Sequence, residues 1–373
     1  MQSSTSLNRK SKYRMTKHFI RINRMHFNIN KEIIKMNNND VRKLVSFKVV
    51  EKIKSIENAD AIELVCFGGW QVVVKKDEFK VGDKVIYFEI DSFLPKGIKQ
   101  FAFLVEKSSK KALDTKGNEV VGHVLKTIRL RGAISQGLVL SPKAFDKELN
   151  TQKDLEDYFY NELGVFKYEK PLPLDTTIIG NYPNFTPKTD SERVQNLSDE
   201  ILQKLGEKCT WKATEKVDGT SSTWWKDEEG TIHVASRNYE IAIVKNSVHD
   251  QLIKRYRLDE ILKPYEIIKG EIVGEGIQNN PLKIQGKRLL IFEWISPYRG
   301  LPKELEDIKV KEYDLPFPET VEEAVAQAYG LKSLVNPNVQ AEGIVWWNKE
   351  HELFEELDFR PNFKAINNKY LLK

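Results

Sequence analysis

Glu215-Lys216-Val217-Asp218-Gly219-Thr220 is the stretch on which the reading of this chain turns. A lysine amine is protonated at neutral pH and becomes a nucleophile only where a low-dielectric pocket or a nearby cation favours its neutral form. Working outward toward the C-terminus, the sequence offers Ser236-Arg237-Asn238, Gly270-Glu271, Phe292-Glu293-Trp294, Glu342-Gly343-Ile344-Val345 and Phe363-Lys364. Those residue types suit a single chemistry in which Lys216 attacks a nucleotide phosphate, cations neutralise it, acids take ribose and metal, and an aromatic takes the base. Thr210 to Thr214 reads as a strand that delivers Lys216 at its end, where a nucleophile is held better than on a loop. Lys-x-Asp-Gly alone is a weak signal, so the weight rests on the order of the segments.

The same region supplies its scaffold. Phe185 to Arg193 leads into a helix that Ser198 caps, with Asp199 and Glu200 in its first turn, Gly206 just past its end and a buried stripe of Leu197, Ile201, Leu202 and Leu205. A second helix is expected over Ser247 to Leu262, and Thr320 with Glu323 reads as a capping box. Glu271 is expected at a strand end after Ile267 and Ile268. Arg237, between the alternating Ile232 and Val234 and a turn at Asn238, has a bidentate guanidinium suited to a 5′-phosphate, or to a surface ion pair. Phe292 lies in the apolar run Leu289 to Ile295, which by residue type alone reads as core.

Before about Ser141 the text differs. Val45 to Ile53, Ala61 to Phe67, Gln71 to Val74, Lys84 to Ile90 and Lys126 to Leu130 are short β runs with Gly68-Gly69 and Gly82-Asp83 between them, the pattern of an OB-type barrel. Alternation over Lys126 to Gly132 puts Arg129 and Arg131 on one face, either to track a nucleic-acid backbone or as ordinary surface charge. The expected plan is a basic leader over 1–40, an OB domain over 41–165, a linker over 166–180 with a short helix before it near Leu155 to Leu163, and a catalytic domain over 181–373.

Charge supports that division. The net charge of the 373 residues is +5, yet Met1 to Lys35 holds nine Lys and Arg against the single acid Glu32, so the remainder is slightly acidic. A uniformly basic protein that coats nucleic acid is disfavoured, and phosphate binding should come from local patches. The leader has the composition of a mitochondrial transit peptide; a disordered tail, or a true start at Met25 or Met36, are the alternatives. Two distant cysteines, Cys66 and Cys209, argue for a reducing intracellular compartment, mitochondrial by the leader and otherwise nuclear or cytoplasmic. No window approaches the roughly 18 apolar residues of a membrane span, so a membrane-free monomer is expected. The six histidines form no triad or ligand spacing.

Two resemblances sharpen these expectations. Glu57 to Leu64 followed by Arg131 to Leu138 is similar to the paired signatures of tRNA-binding OB modules appended to some aminoacyl-tRNA synthetases. The ordered segments Lys216-Val217-Asp218-Gly219, Ser236-Arg237-Asn238, Gly270-Glu271, Phe292-Glu293, Glu342-Gly343 and Lys364 follow the motifs of covalent nucleotidyltransferases. With Gly270 to Gln278 as an extended third motif, the chain resembles the ATP-dependent RNA ligases of the nick-sealing type, in the subgroup whose OB domain is N-terminal.

That resemblance implies an α+β fold in which the barrel precedes antiparallel sheets flanked by helices. It implies ATP as co-substrate, Mg²⁺ or Mn²⁺, and RNA bearing 3′-OH and 5′-phosphate ends as partner. By it, Lys216, Lys364 and Arg237 are catalytic. Glu215, Asp218, Gly219, Glu271, Phe292, Glu342 and Lys369 join those three around the nucleotide, with Glu342 on the metal. Within the motifs, Glu271 takes the ribose, Phe292 stacks on adenine and Lys364 pairs with the α-phosphate. The last motif departs from many nick-sealing relatives: Ile366 stands where a second lysine is usual, with Lys369 as the candidate substitute. A barrel used mainly for RNA should matter more for sealing than for self-adenylylation. A GTP-using capping or DNA-joining enzyme, or a non-catalytic RNA-binding protein, remain the alternatives.

Overall fold

The computed structural model describes residues 43–104, 108–170, 176–357 and 360–372, and the strands and sheets counted below are among these. The leader expected over 1–40 lies outside them, as does part of the linker. The first domain is built from β1 (Val45–Val49), β2 (Lys52–Ser55), β3 (Ile62–Phe67), β4 (Trp70–Lys75), β5 (Lys84–Phe88), β6 (Ser92–Pro95), β7 (Ser109–Leu113), β8 (Glu119–Val124), β9 (Thr127–Leu130), β10 (Ala133–Gln136), β11 (Leu138–Leu140) and β12 (Phe166–Lys167). They pair as β1-β5-β11, β2-β3-β4, β12-β6-β8-β7 and the hairpin β9-β10. The run expected as one strand over Val45 to Ile53 breaks at Val50-Glu51 and changes sheets. Alternation in β5 buries both of its faces: Val85 and Tyr87 enter one apolar cluster with Trp70, while Ile86 and Phe88 enter another with Phe101 and Phe159. Phe159 comes from the expected helix near Leu155, an α-turn over Gln152–Leu155 that widens into a π-helical stretch over Glu156–Glu162.

The rest of the chain forms two antiparallel-dominated sheets. One contains β13 (Ile178–Asn181), β16 (Thr220–Lys226), β17 (Ile232–Ala235), β18 (Tyr239–Ile241), β19 (Ile267–Gly274) and β20 (Lys287–Ile295), in the order β13-β18-β17-β16-β19-β20. The other contains β14 (Glu192–Arg193), β15 (Trp211–Lys216), β21 (Glu312–Tyr313), β22 (Gly343–Asn348) and β23 (Asn362–Ile366), in the order β14-β23-β22-β15-β21, with β14 parallel to β23. The α+β expectation therefore holds.

Three local expectations are corrected. The helix capped by Ser198 runs from Asp199 to Lys208, so Gly206 lies inside it. A Cβ there would come within 3.0 Å of the Phe317 ring, which makes this glycine a packing site. The helix expected over Ser247 to Leu262 is split into Val248–Tyr256 and Leu258–Ile261 by Arg257, whose left-handed backbone (φ 53°) caps the first piece. At Val321–Ala328 the capping box is half closed: Thr320 accepts from the Glu323 N–H, but the Glu323 carboxylate accepts from Glu319.

The described residues divide into two compact units that cut across chain order. One comprises residues 176–190 and Val217–Lys311; the other comprises the barrel, Ser191–Lys216 and residues 312–372. Within the second unit the barrel is fastened to the five-stranded sheet. Trp70 Nε1 donates to Asn196 Oδ1 at 2.8 Å, the Arg193 guanidinium reaches Glu89 (3.5 Å) and Asp91 (3.3 Å), Gln136 Nε2 donates to Asn368 Oδ1 at 3.1 Å, and Leu371 packs against the barrel core.

Candidate active site

In the barrel-containing unit, period-two alternation decides which side chains are available for chemistry. Ala213, Ile344, Trp346, Phe363 and Ala365 face an apolar core shared with Leu202, Leu205 and Ala324. That leaves Thr214, Lys216, Val345 and Lys364 together on the other face, because Lys216 is in register with Gly343 and Lys364 with Val345. Lys216 is the last residue of β15, as its flanking sequence predicts. Glu342 immediately precedes β22, and its Oε2 lies 2.7 Å from Lys216 Nζ. Glu215 falls on the core face, where its carboxylate accepts from the Leu334 N–H at 2.7 Å. Burial, then the charge of Glu215, pushes the Tyr313 phenol well above its ordinary range.

The other unit presents a second set. Trp224, Val234, Ile268, Ile272, Leu289 and Ile291 pack with Leu252, Ile253 and Leu258 of the two helices. By alternation Ser221, Thr223, Lys269, Glu271 and Val273 occupy the opposite face. Glu271 is the fifth residue of an eight-residue strand, in register with Ser221 and Leu290, so the expectation of a strand end is corrected. Phe292 is half-buried and outside the core cluster, because Lys269 opposes Glu293 while Gly270 opposes Ile291, which leaves Phe292 as the extra residue of a β-bulge.

Both motif glycines here are dictated by approach. A Cβ at Gly219 would sit 2.3 Å from Ile272 O, and one at Gly270 would sit 2.6 Å from Leu290 O. Asp218 lies in the short link between β15 and β16, just past the Lys216–Val217 bond at which the units divide. Arg237 occupies the β17–β18 turn, its Nη2 3.0 Å from Asp190 Oδ1.

Comparison with known proteins shows the family. A family model for an OB-fold domain matches residues 44–142, and one for RNA ligase matches residues 210–366. The solved apo structure of a Naegleria gruberi RNA ligase mutant is 34% identical, with a TM-score of 0.72, over 89% of this chain and 98% of that one. This chain belongs to the RNA ligase family. The same Naegleria ligase with pyrophosphate matches at 33% identity and a TM-score of 0.70, over 89% and 98% of the two chains. A mutant of it with ATP and Mn matches at 33% identity and a TM-score of 0.70, over 88% and 98%. A search of curated proteins finds no match.

Other residues of this RNA ligase lie in settings that sequence foresaw only in part. Alternation stops at Leu130: Arg131 and Gly132 form a two-residue hairpin turn, both with positive φ, so Arg131 does not share a strand face with Arg129. Arg129 donates to the Gly132 carbonyl at 2.9 Å. Ile366 is buried in register with Gly343, and the Lys369 ammonium sits 4.6 Å from the Tyr329 ring centroid. The sequence reading missed the run Lys188-Thr189-Asp190. Lys188 donates to Asn238, the Thr189 and Ser221 hydroxyls lie 3.0 Å apart, and Asp190 holds Arg237. An acid and a base in a polar run ahead of the helix were its only signal.

Away from these residues, a cleft lined by Arg255, Arg257, Lys263 and Arg299 looks basic, but Arg257 is committed to Glu260 and Arg299 to Glu266. Among the described residues no three His, Cys, Asp or Glu side chains are grouped to hold a metal, and no helix is long and apolar enough to cross a membrane.

Proposed function

We propose that this RNA ligase joins an RNA 3′-OH to a 5′-phosphate using ATP and a covalent lysyl-AMP. The observation that carries the reading is the placement of Lys216 and Lys364 on one face of a sheet, with Glu342 2.7 Å from the Lys216 ammonium, in a chain 34% identical to an RNA ligase. In the first step the neutral Lys216 amine attacks the α-phosphorus. A P–N bond forms, the bond from that phosphorus to the bridging oxygen breaks, pyrophosphate leaves and the amine loses a proton. In the second step a 5′-phosphate oxygen displaces lysine and takes AMP; in the third the 3′-hydroxyl attacks that 5′-phosphorus and AMP departs. Each step asks the protein mainly to position groups and offset charge.

The roles follow residue chemistry. Lys364 supplies positive charge to the α-phosphate, Glu271 accepts from the ribose hydroxyls, Phe292 stacks on the base, and Asp218 with Gly219 shapes the turn behind the nucleophile. Arg237 takes the 5′-phosphate, with Asp190 holding its guanidinium until then. Glu215 holds the strand end through Leu334, and Arg129 and Arg131 are assigned to the RNA backbone. The Glu342 carboxylate is a hard oxygen donor of the kind that fits Mg²⁺ or Mn²⁺, which are held by one or two carboxylates together with phosphate and water. When bound, such an ion supplies charge neutralisation at the phosphates. RNA repair is the setting this chemistry serves, in a reducing compartment.

The test is to mix purified protein with α-labelled ATP and MnCl₂, denature, and look for label on the chain. Wild type should carry it and Lys216→Ala should not; sealing of RNA with 3′-OH and 5′-phosphate ends should then follow, with matched RNA, DNA and hybrid nicks compared. No covalent label in wild type overturns the reading, label only from GTP favours the capping alternative, and sealing only of DNA nicks favours the DNA-joining one.

A further inference from the structure

We propose that Lys269 is a positioning residue for the nucleotide, acting through the β-bulge that carries Phe292; this rests on the adenylylation reading above. Lys269 is 1% exposed, and its ammonium lies 3.0 Å from Glu293 Oε2, whose side chain is itself largely buried. An ion pair taken out of water gives little or no net stability over two apolar side chains, so its physical effect lies in which register it permits. The rung Lys269–Glu293 is the last before the irregularity, and the next is Gly270–Ile291.

Without the bulge, Phe292 would oppose Lys269 and Glu293 would oppose Ile268. Alternation would then drive a carboxylate into the core beside Trp224 and Ile291 and leave a buried ammonium unpaired. In the bulged register Glu293 meets Lys269, Trp294 returns to the core side, and Phe292 is set beside the strand that holds Glu271. Gly270 permits the close approach of the strands at that point. The pair therefore selects the arrangement in which the aromatic and the ribose acid stand at a fixed spacing.

The test measures self-adenylylation against ATP concentration in Lys269→Met, Phe292→Ala and their combination, with amide exchange of residues 290–294 followed without nucleotide. Lys269→Met should raise the KM for ATP by about tenfold with kcat within about threefold, and should speed exchange in the bulge. In the Phe292→Ala background it should raise KM no further, since both act through one ring. Additive effects, a fall in kcat alone, or a wild-type KM in folded protein would overturn the proposal. If Lys269→Met does not fold, Lys269→Met with Glu293→Leu, which leaves no buried charge, takes its place with the same expectations. Absence of any adduct in wild type is a failure of the ligase reading; unchanged exchange is a failure of this one.

Discussion

Lys216 Nζ lies 2.7 Å from Glu342 Oε2, so the proposed nucleophile and the acid proposed for the metal are an ion pair. A carboxylate at that distance favours the ammonium, which has no lone pair to offer phosphorus. Attack on ATP thus requires Glu342 to be engaged elsewhere, as it would be on a divalent cation, with Lys364 then adding like charge on the same face.

Glu342→Gln should therefore separate two properties of one amine. Without ATP or metal, acylation of Lys216 near neutral pH, read by peptide mass spectrometry, should speed up several-fold relative to wild type. Self-adenylylation should fall about a hundredfold, the usual scale for deleting one charge stabiliser. Unchanged acylation would mean that the carboxylate does not hold the amine in its charged form.

Gly343 tests how tightly the sheet must close behind that pair. A Cβ at this position would lie 2.2 Å from Ala365 O, so Gly343→Ala must push β22 from β23 and with it displace Lys364. We expect a loss of about 1–3 kcal/mol in denaturant unfolding, as for other overpacked sites, and at least about a tenfold loss in adenylylation. Gly300→Ala, where a Cβ meets nothing within 4 Å, is the control and should change neither.

Much of this was legible because alternation and motif order are local signals. Lys216 at a strand end, Arg237 in a turn and the Ser198 cap all emerge from a few adjacent residues. What sequence missed depends on partners far along the chain. Phe292 reads as core until the pairing with β19 shows an extra residue there. Gly206 reads as a helix stop until Phe317 is seen against it. Arg131 continues an alternating run by its spelling, but the following glycine makes a hairpin turn of the two. Lys369, five residues beyond Lys364, looks like a spare lysine until Tyr329 is found beneath its ammonium.

The contacts of the barrel lead to a different expectation from the one its sequence suggests. A nucleic-acid module alone would matter for sealing and little for self-adenylylation. Yet Arg193, buried against Glu89, is in register with Lys364, and Trp70 is hydrogen-bonded to Asn196 just after it. A protein beginning at residue 177 would expose Leu371 and strip Arg193 of both carboxylates. It should lose self-adenylylation as severely as sealing, measured as label per mole of folded chain. Full adenylylation by that fragment would show that the barrel leaves the Lys364 strand undisturbed.

His249 supplies one part of the pH dependence. Its ring lies tilted against the buried Trp224, with centroids 5.5 Å apart, and burial pulls its imidazole down from 6.5 to about 4. Between those values the unfolded chain binds a proton that the folded chain refuses, so the contribution of His249 to stability should fall as pH drops from about 6.5 and level off below about 4, where carboxylates such as Asp250 and Glu266, held below their ordinary range, add a further loss. Above 6.5 the group is neutral in both states and contributes no slope. In urea unfolding at constant ionic strength, His249→Phe should be less sensitive to pH than wild type across that window and match its slope at pH 7 to 8. An equal slope in both proteins between pH 4 and 6.5 would place the acid sensitivity of the fold elsewhere.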